Sequence, residues 1–420
     1  MTYASFPQVS TRPINDSDGW PPEIVGQARI IDMAFHGQDL MPLVNGLTER
    51  ARSNPHDAAA LMDLASIHIV LQKRAEGLAL QADALGIEQV YRQPIPTATR
   101  DALRLLMFVG PGDFMANIPV QFLLEGANVS LDLVYLVPGQ PVPARIPEHD
   151  LAIVGVGEAD ESRPILEALS SMVGAWPTRV LLDPGRVAQL SRDSLWKVLA
   201  DAPGVVVPAT VRLDRGAVAD LAHDDSALAS ALPGWQFPII VRPVGSHAGL
   251  GLERVNTATR LAAYVAEQSA ERFYLSPFVD YRNVDGLYRK YRVAFVDGCA
   301  FPCHAAMADH WMLHYLNAGM EQSAAKRADE ERWFATFDDV FAARHHDGFR
   351  LLHERIGLEY FVIDCAEMPG GDLLVFEADT AMIIHAMDSP TLFPYKAPNM
   401  RRAFDAFQTM LFKAAGRPTA

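Results

Sequence analysis

Apolar residues recur at helical spacing through the first quarter of the chain and then give way to short runs. From Ile24 to Leu47 the spacing is helical but mixed, broken at Gly37 and Pro42. Ser53-Asn54-Pro55-His56-Asp57 reads as a helix start, with a capping residue ahead of a proline. Leu61, Leu64, Ala65, Ile67 and His68 continue it. Gly77 separates it from a second helix over Leu78–Leu85, which Gly86 ends. The two make a helical hairpin of about 34 residues, the length of one tetratricopeptide repeat, with no second copy. A lone repeat leaves a face uncovered, so it predicts a helical cap, a homodimer surface or a peptide-docking site.

Tyr91-Arg-Gln-Pro-Ile-Pro96 reads as a linker, and beyond it the period becomes that of strands. Leu105–Val109, Val129–Val137, Leu151–Val156 and Arg179–Asp183 are strand-like. Leu123–Gly126 suggests a helix end and Leu166–Val173 a helix between them. Alternation of this kind predicts a parallel sheet with right-handed crossovers. Gly110-Pro111-Gly112 follows a strand, but Met115 stands at the third glycine of a dinucleotide fingerprint, so no such site is expected. Ser191–Ala200 reads as a helix, Val205–Val211 as extended, and Leu213–Leu232 as a helix and a loop.

Three later stretches carry chemistry. Phe237–Pro243 is a strand with Arg242 near its end, and it runs into Gly245-Ser246-His247-Ala248-Gly249-Leu250-Gly251. Such a loop presents backbone N–H groups to phosphate oxygens without side chains in the way. No Gly-Lys-Ser/Thr follows, so it is not a Walker loop. Tyr288–Gly298 is a strand on which Lys290 and Arg292 share a face, with Cys299–Pro302 as its return. His304, His310, His314 and Tyr315 follow, and His310 and His314 are spaced to share a helix face. Finally, Tyr360–Glu367 and Asp372–Asp379 flank a Gly370-Gly371 turn. Counting outward, Asp364 faces Glu377, and Asp379 falls on the same face. Three carboxylates there repel one another and call for a cation, either a hard divalent ion such as magnesium or neighbouring arginines. A charged and Phe-rich stretch, Ala324–Phe349, reads as helical.

Composition narrows the classes. Of 420 residues half are hydrophobic and 21% charged, which suits large cores and excludes a mostly disordered chain. A net charge of −15 argues against nucleic-acid or anionic-membrane partners but leaves room for an anionic small molecule in a local basic pocket. No apolar run approaches the roughly 18–20 residues of a membrane span. Met1–Pro7 lacks the start of a secretion signal, and three cysteines (Cys299, Cys303, Cys365) make no disulfide framework. A cytoplasmic protein with buried thiols is the expectation.

Taken in order, Arg242, the loop Gly245–Gly251, a hinge at Phe273–Val279, the strand with Arg292 and the Asp364…Glu377-x-Asp379 hairpin resemble the ATP-grasp superfamily over residues 180–420. In particular they resemble glutathione-synthetase-like carboxylate–amine ligases, including bacterial proteins that join a tetratricopeptide-like region to an ATP-grasp module. The resemblance implies an α/β and α+β multidomain chain: 1–95 helical and tetratricopeptide-like, 96–182 a half-Rossmann parallel domain, and 183–420 a two-subdomain ATP-grasp fold hinged near 274–280. It implies ATP and magnesium. Arg242, Gly245, Ser246, His247, Gly249 and Gly251 would meet the phosphates. Ser276, Phe278, Val279 and Asp280 would meet the nucleoside. Asp364, Glu377 and Asp379 would hold metal, and Arg292 with Lys290 would stabilise the transferring phosphoryl group. His304, His310, His314 and Tyr315 would contact substrate. The implied reaction activates a small-molecule or peptide carboxylate as an acyl phosphate, releases ADP and couples the carboxylate to an amine. Two other outcomes fit the motifs: an interaction protein whose nucleotide module turns over weakly, or a phosphotransferase. Arg242 stands where Lys is commoner and Asp379 where Asn is. Pro277 has no N–H to give adenine. The second phosphate cation has no clean match, and Arg192 or Lys197 could supply it.

Overall fold

The computed structural model describes residues 19–246 and 249–418; the start from Met1 to Pro7 and His247 lie outside them. The chain divides into two compact units. One takes in the chain to Val187 together with Thr380–Met387 and Arg401–Ala420, and the other holds Ala188–Asp379 and Asp388–Met400. The helical region and the parallel module thus share one unit, and its border falls at Val187/Ala188. Among the described residues, no helix is long and apolar enough to cross a membrane.

The first unit opens with helices α1 (Gln27–Phe35), α2 (Met41–Ser53), α3 (Ala58–Val70) and α4 (Arg74–Ile87). Pro42 lies in the first turn of α2, where its missing N–H costs nothing, so it starts that helix rather than breaking one. The cap of α3 is Asp57, whose Oδ1 accepts the Ala60 N–H at 2.9 Å; Asn54 instead ends α2 in an extended conformation. Gly77 is no turn residue. It lies within α4, where a Cβ would stand 2.6 Å from Ile69 Cγ1 and 2.8 Å from the Ala65 carbonyl oxygen, so glycine is what lets α3 and α4 meet.

Then follow β1 (Val90–Gln93), β2 (Leu103–Val109), α5 (Val120–Leu123), β3 (Val129–Tyr135), β4 (Leu151–Val154), α6 (Arg163–Met172), β5 (Val180–Leu181) and α7 (Pro184–Val187). The sheet order is β1-β3-β2-β4-β5, parallel except for β1. Part of the expected linker is therefore an edge strand. Tyr91 is fully buried, and Arg92 forks onto Asp132, its partner residue on β3, at 2.9 and 3.2 Å. Four residues ended by Pro94 are too few to show a period of two.

The second unit holds α8 (Arg192–Val198), β6 (Val205–Val206), β7 (Val211–Asp214), α9 (Arg215–Leu221), α10 (Asp225–Ala231), β8 (Ile239–Pro243), β9 (Glu253–Val255), α11 (Ala258–Glu267) and β10 (Arg272–Pro277). It continues with β11 (Tyr288–Val296), β12 (Cys299–Ala308), α12 (Ala324–Ala335), α13 (His346–Ile356), β13 (Tyr360–Glu367) and β14 (Leu373–Asp379). A last helix, α14 (Lys396–Ala414), begins in this unit. Four strands run β7-β10-β8-β9, and five run β12-β11-β13-β14-β6. Alternation along β11 sorts its faces. Tyr291 and Phe295 meet Trp333, Phe341 and Phe349 from the helical stretch between β12 and β13, at centroid distances of 4.9 to 5.2 Å. Lys290 and Arg292 are left to the other face.

Asp63 on α3 ties the first unit's entry segment to its helices. The carboxylate is buried and accepts the N–H groups of Val25 and Gly26 at 2.8 and 3.0 Å. Burial pushes its pKa up from 3.8 to about 6 despite those bonds. The folded chain therefore holds this proton more tightly than the unfolded one, and the cost of the ionised form is absent below pH 3.8 and complete above about 6. Asp63→Asn keeps a carbonyl acceptor and removes the charge. We expect its stability relative to wild type to rise across that window, by up to about 3 kcal/mol. Chemical unfolding at several pH values checks this, and parallel curves for the two proteins would rule it out.

Candidate active site

The site grows from one residue pair on neighbouring strands. Arg292 on β11 lies opposite Asp364 on β13, and Asp364 lies opposite Glu377 on β14. Arg292 Nε donates to Asp364 Oδ1 at 2.8 Å and Nη2 to Oδ2 at 3.2 Å, while Lys290 Nζ reaches Oδ2 at 2.7 Å. Asp364 is only 3% exposed. Burial alone would raise its pKa, but the Arg292 and Lys290 charges outweigh burial and hold the carboxyl well below the usual carboxylate range. Lys290 is held below its own ordinary value by burial, with the Arg292 and Arg192 charges adding to it.

The facing of Asp364 and Glu377 comes about differently from a two-residue Gly-Gly turn. The turn is Pro369-Gly370-Gly371, closed by Gly371 N–H to the Met368 carbonyl at 2.8 Å, with Gly371 at φ 94°. Glu367 then pairs with Leu373 and Cys365 with Val375. A bulge at Asp364/Cys365 makes up the missing residue, so that Asp364 meets Glu377 and Val362 meets Asp379.

Glu377 is held from outside its own sheet. Arg192, in the first turn of α8, hydrogen-bonds Glu377 Oε2 through Nη2, and Lys290 Nζ stands 4.0 Å from Oε1. The next residue, Asp193, pairs with Arg212 of β7 at 3.0 Å, and Arg212 donates to the Tyr274 hydroxyl of β10 at 2.6 Å. The start of α8 is thus bonded to both sheets. Of the two residues proposed for the second phosphate cation, Arg192 joins the cluster, whereas Lys197 is exposed on the same helix. Sequence spacing could not separate them.

Arg242 on β8 completes the basic set. Its Nε donates to Ser246 Oγ at 3.2 Å and Nη2 donates to the Ser246 carbonyl, and no carboxylate pairs with it among the described residues. Burial, and then the Arg192 charge, push its pKa down. A guanidinium keeps its proton, so the penalty is relieved only by an anion. Gly245, Gly249 and Gly251 all have φ near +70°, at 76°, 76° and 67°, which side-chain-bearing residues resist. A Cβ on Gly249 would touch His314 and Met312 at 3.8 and 3.9 Å, so this loop reaches the segment expected to meet substrate.

That segment is not helical between Asp309 and His314, so His310 and His314 share no helix face. His310 is exposed beside Asp309; His314 lies where burial, Lys290 and His310 lower its pKa. His304 lies opposite Arg292 on β12 and packs on Tyr315 with ring centroids 4.7 Å apart. Burial, then the Arg292 charge, hold His304 well below its ordinary pKa, so its imidazole is neutral at pH 7. Tyr315 gives its hydroxyl to buried Glu330 at 3.1 Å and takes a bond from Lys396 Nζ at 2.5 Å, two partners the sequence did not suggest. At the hinge the Phe278 N–H is already given to the Pro238 carbonyl at 3.1 Å. Asp280 accepts the Arg282 N–H, and Arg254 lies 4.1 Å over the Phe278 ring. Of the backbone groups expected to meet adenine, Pro277 has no N–H and that of Phe278 is already used. Ser276 lies within the β10–β8 ladder, opposite Ile240. Val279 follows Phe278 and packs against the cluster of Tyr281, Tyr288 and Leu313.

Three carboxylates are the right donors for a hard divalent ion, which takes oxygen ligands. They are not gathered as a metal set: Asp364 carries Arg292 and Lys290, and Glu377 carries Arg192 and neighbours Lys290. Among the described residues no three His, Cys, Asp or Glu side chains are placed to hold a metal together. The donor chemistry fits, and occupation requires an exchange of partners.

No protein-family model matches this chain, and no curated protein does. Among solved structures it is similar to an ATP-grasp RimK domain protein from Sphaerobacter thermophilus (14% identity, 74% of this chain and 98% of that one, TM-score 0.39). It is similar to the VanG D-Ala:D-Ser ligase from Enterococcus faecalis (14%, 75% and 99%, 0.41). It is also similar to a D-alanine–D-alanine ligase from Bacillus anthracis complexed with ATP (12%, 75% and 99%, 0.42).

The ion cluster ranks its own members. Asp364→Ala strands two buried cations and should cost about 3–5 kcal/mol of unfolding free energy. Glu377→Ala, at a site about a quarter exposed, should cost about 1 kcal/mol or less. Urea unfolding of the two variants gives the order, and equal losses would count against Asp364 as the buried counter-ion.

Proposed function

We propose that this protein is an ATP-dependent ligase that activates a carboxylate as an acyl phosphate and couples it to an amine. One observation carries the proposal. Arg242 lies buried beside Arg192 with no carboxylate partner among the described residues, on the sheet that bears the glycine loop, while Lys290 and Arg292 project from the other sheet. Four cations stand among Asp364, Glu377 and Asp379, a balance that favours a polyanion such as a triphosphate.

In this reading Arg242 and the N–H groups of the glycine loop hold the β- and γ-phosphates, and Arg192 meets them from α8. Arg292, oriented by Asp364, faces the transferring phosphoryl group and offsets the charge that builds on its oxygens. Substrate carboxylate oxygen attacks the γ-phosphorus, the bond to the β-bridging oxygen breaks, and ADP leaves. The neutral amine then attacks the acyl carbon, the bond from that carbon to the phosphate oxygen breaks, and the proton lost by nitrogen leaves with the phosphate. Neutral His304 and Tyr315 line the side from which the acceptor approaches. Magnesium, held by Glu377 and Asp379 and by Asp364 once it exchanges a cation partner, would neutralise phosphate charge. The bonds that Asp364 already makes favour a second reading, a nucleotide-binding module with slow turnover.

Incubation with ATP, magnesium and pools of carboxylates and amines, followed by ADP release, separates these readings. ADP formed only when both pools are present supports the ligase; ATP binding by calorimetry without ADP release supports the second reading; no ATP binding sinks both. Arg242→Ala should weaken ATP binding about tenfold or more, the scale of a charged hydrogen bond. Arg292→Ala should retain binding and lose turnover, and unchanged ADP release in that variant would remove Arg292 from the reacting centre.

A further inference from the structure

We propose that Arg192 and Glu377 form a latch: the arginine withholds Glu377 from a metal ion until a polyphosphate draws the arginine away. The proposal rests on the nucleotide reading above and adds to it an order of events. Four observations support it. Glu377 has its charge-assisted bond to Arg192, from a helix rather than from its own sheet. Arg192 also stands near Arg242, and the two guanidiniums disfavour each other's charge, so a phosphate between them relieves both. The adjacent Asp193–Arg212 pair, at 3.0 Å, fixes the helix start to the four-stranded sheet, so that the Arg192 side chain is the part that moves. Lys290, 4.0 Å from Glu377, is committed to Asp364 at 2.7 Å and cannot replace Arg192 as a full partner.

The consequence is a sign. Polyphosphate and metal each take one member of the same ion pair, so binding of either frees the residue the other needs. By linkage the coupling is reciprocal. Metal alone binds weakly, because it must compete with a guanidinium for the same carboxylate.

The test measures Mn2+ alone by the loss of its free-ion electron paramagnetic resonance signal, and ATP alone in EDTA by calorimetry. Wild type is compared with Arg192→Gln and Glu377→Gln on the full chain. Arg192→Gln should bind Mn2+ alone about fivefold tighter or more, and ATP alone weaker by a similar factor. Glu377→Gln should do the reverse, losing Mn2+ and gaining ATP. Opposite changes of this kind are not produced by general damage to the fold, which weakens both ligands. The latch is overturned if Arg192→Gln binds Mn2+ no tighter than wild type, or if Glu377→Gln binds ATP no tighter. Failure of wild type to bind ATP with Mn2+ present overturns the nucleotide reading instead, and the Mn2+-alone comparison still decides the latch.

Discussion

Burial of Asp364 between Arg292 and Lys290 is the constraint around which the second unit is arranged. A carboxylate taken out of water in this way is tolerable only if its charge is matched at close range. The match comes from one neighbouring strand, at 2.7 and 2.8 Å, because alternation along β11 places Lys290 and Arg292 on a single face. The other face of β11 is given to aromatic packing, which fixes the strand and hence the cations. Orientation of Arg292 is therefore built into the sheet before any ligand arrives.

The two sheets of that unit contribute unlike charges to the cluster. The five-stranded sheet brings both signs in near balance. The four-stranded sheet brings Arg242, whose nearest bonds are to the neutral groups of Ser246. With Arg192 of α8 the cluster holds four cations against three carboxylates, although the chain as a whole carries −15. The overall charge keeps nonspecific polyanions away while a small local field of the opposite sign remains.

Much of this was legible in sequence where a local rule governs. Strand alternation gave the shared face of Lys290 and Arg292. The spacing of glycines pointed to the loop after Arg242, whereas outward counting reached the meeting of Asp364 with Glu377 only because the bulge at Asp364/Cys365 offsets a turn one residue longer than counted. What was not legible depended on partners distant in the chain. Arg192 could not be told from Lys197 because only the fold decides which turn of α8 faces β14. Gly77 looked like a boundary because the reason for it, the approach of Ile69 and the Ala65 carbonyl, lies on another helix. Tyr91–Gln93 looked like the start of a linker because an edge strand of four residues is defined by its partner, β3. Repulsion between the carboxylates called for either a divalent ion or arginines, and spacing alone did not say that Arg192 would be the one at Glu377.

The bulge at Asp364/Cys365 divides the β13–β14 hairpin into two stretches with separate registers. Pairing from Glu367 to Cys365 follows the turn. Pairing from Asp364 to Val362 is set instead by β11, which binds Asp364 from its other side. The stretch that carries the carboxylates is thereby insulated from the loop at Pro369–Gly371. A residue gained in that loop can be taken up in the exposed turn itself, where a side chain on Gly370 or Gly371 would meet nothing within 4 Å, without moving the charged pair.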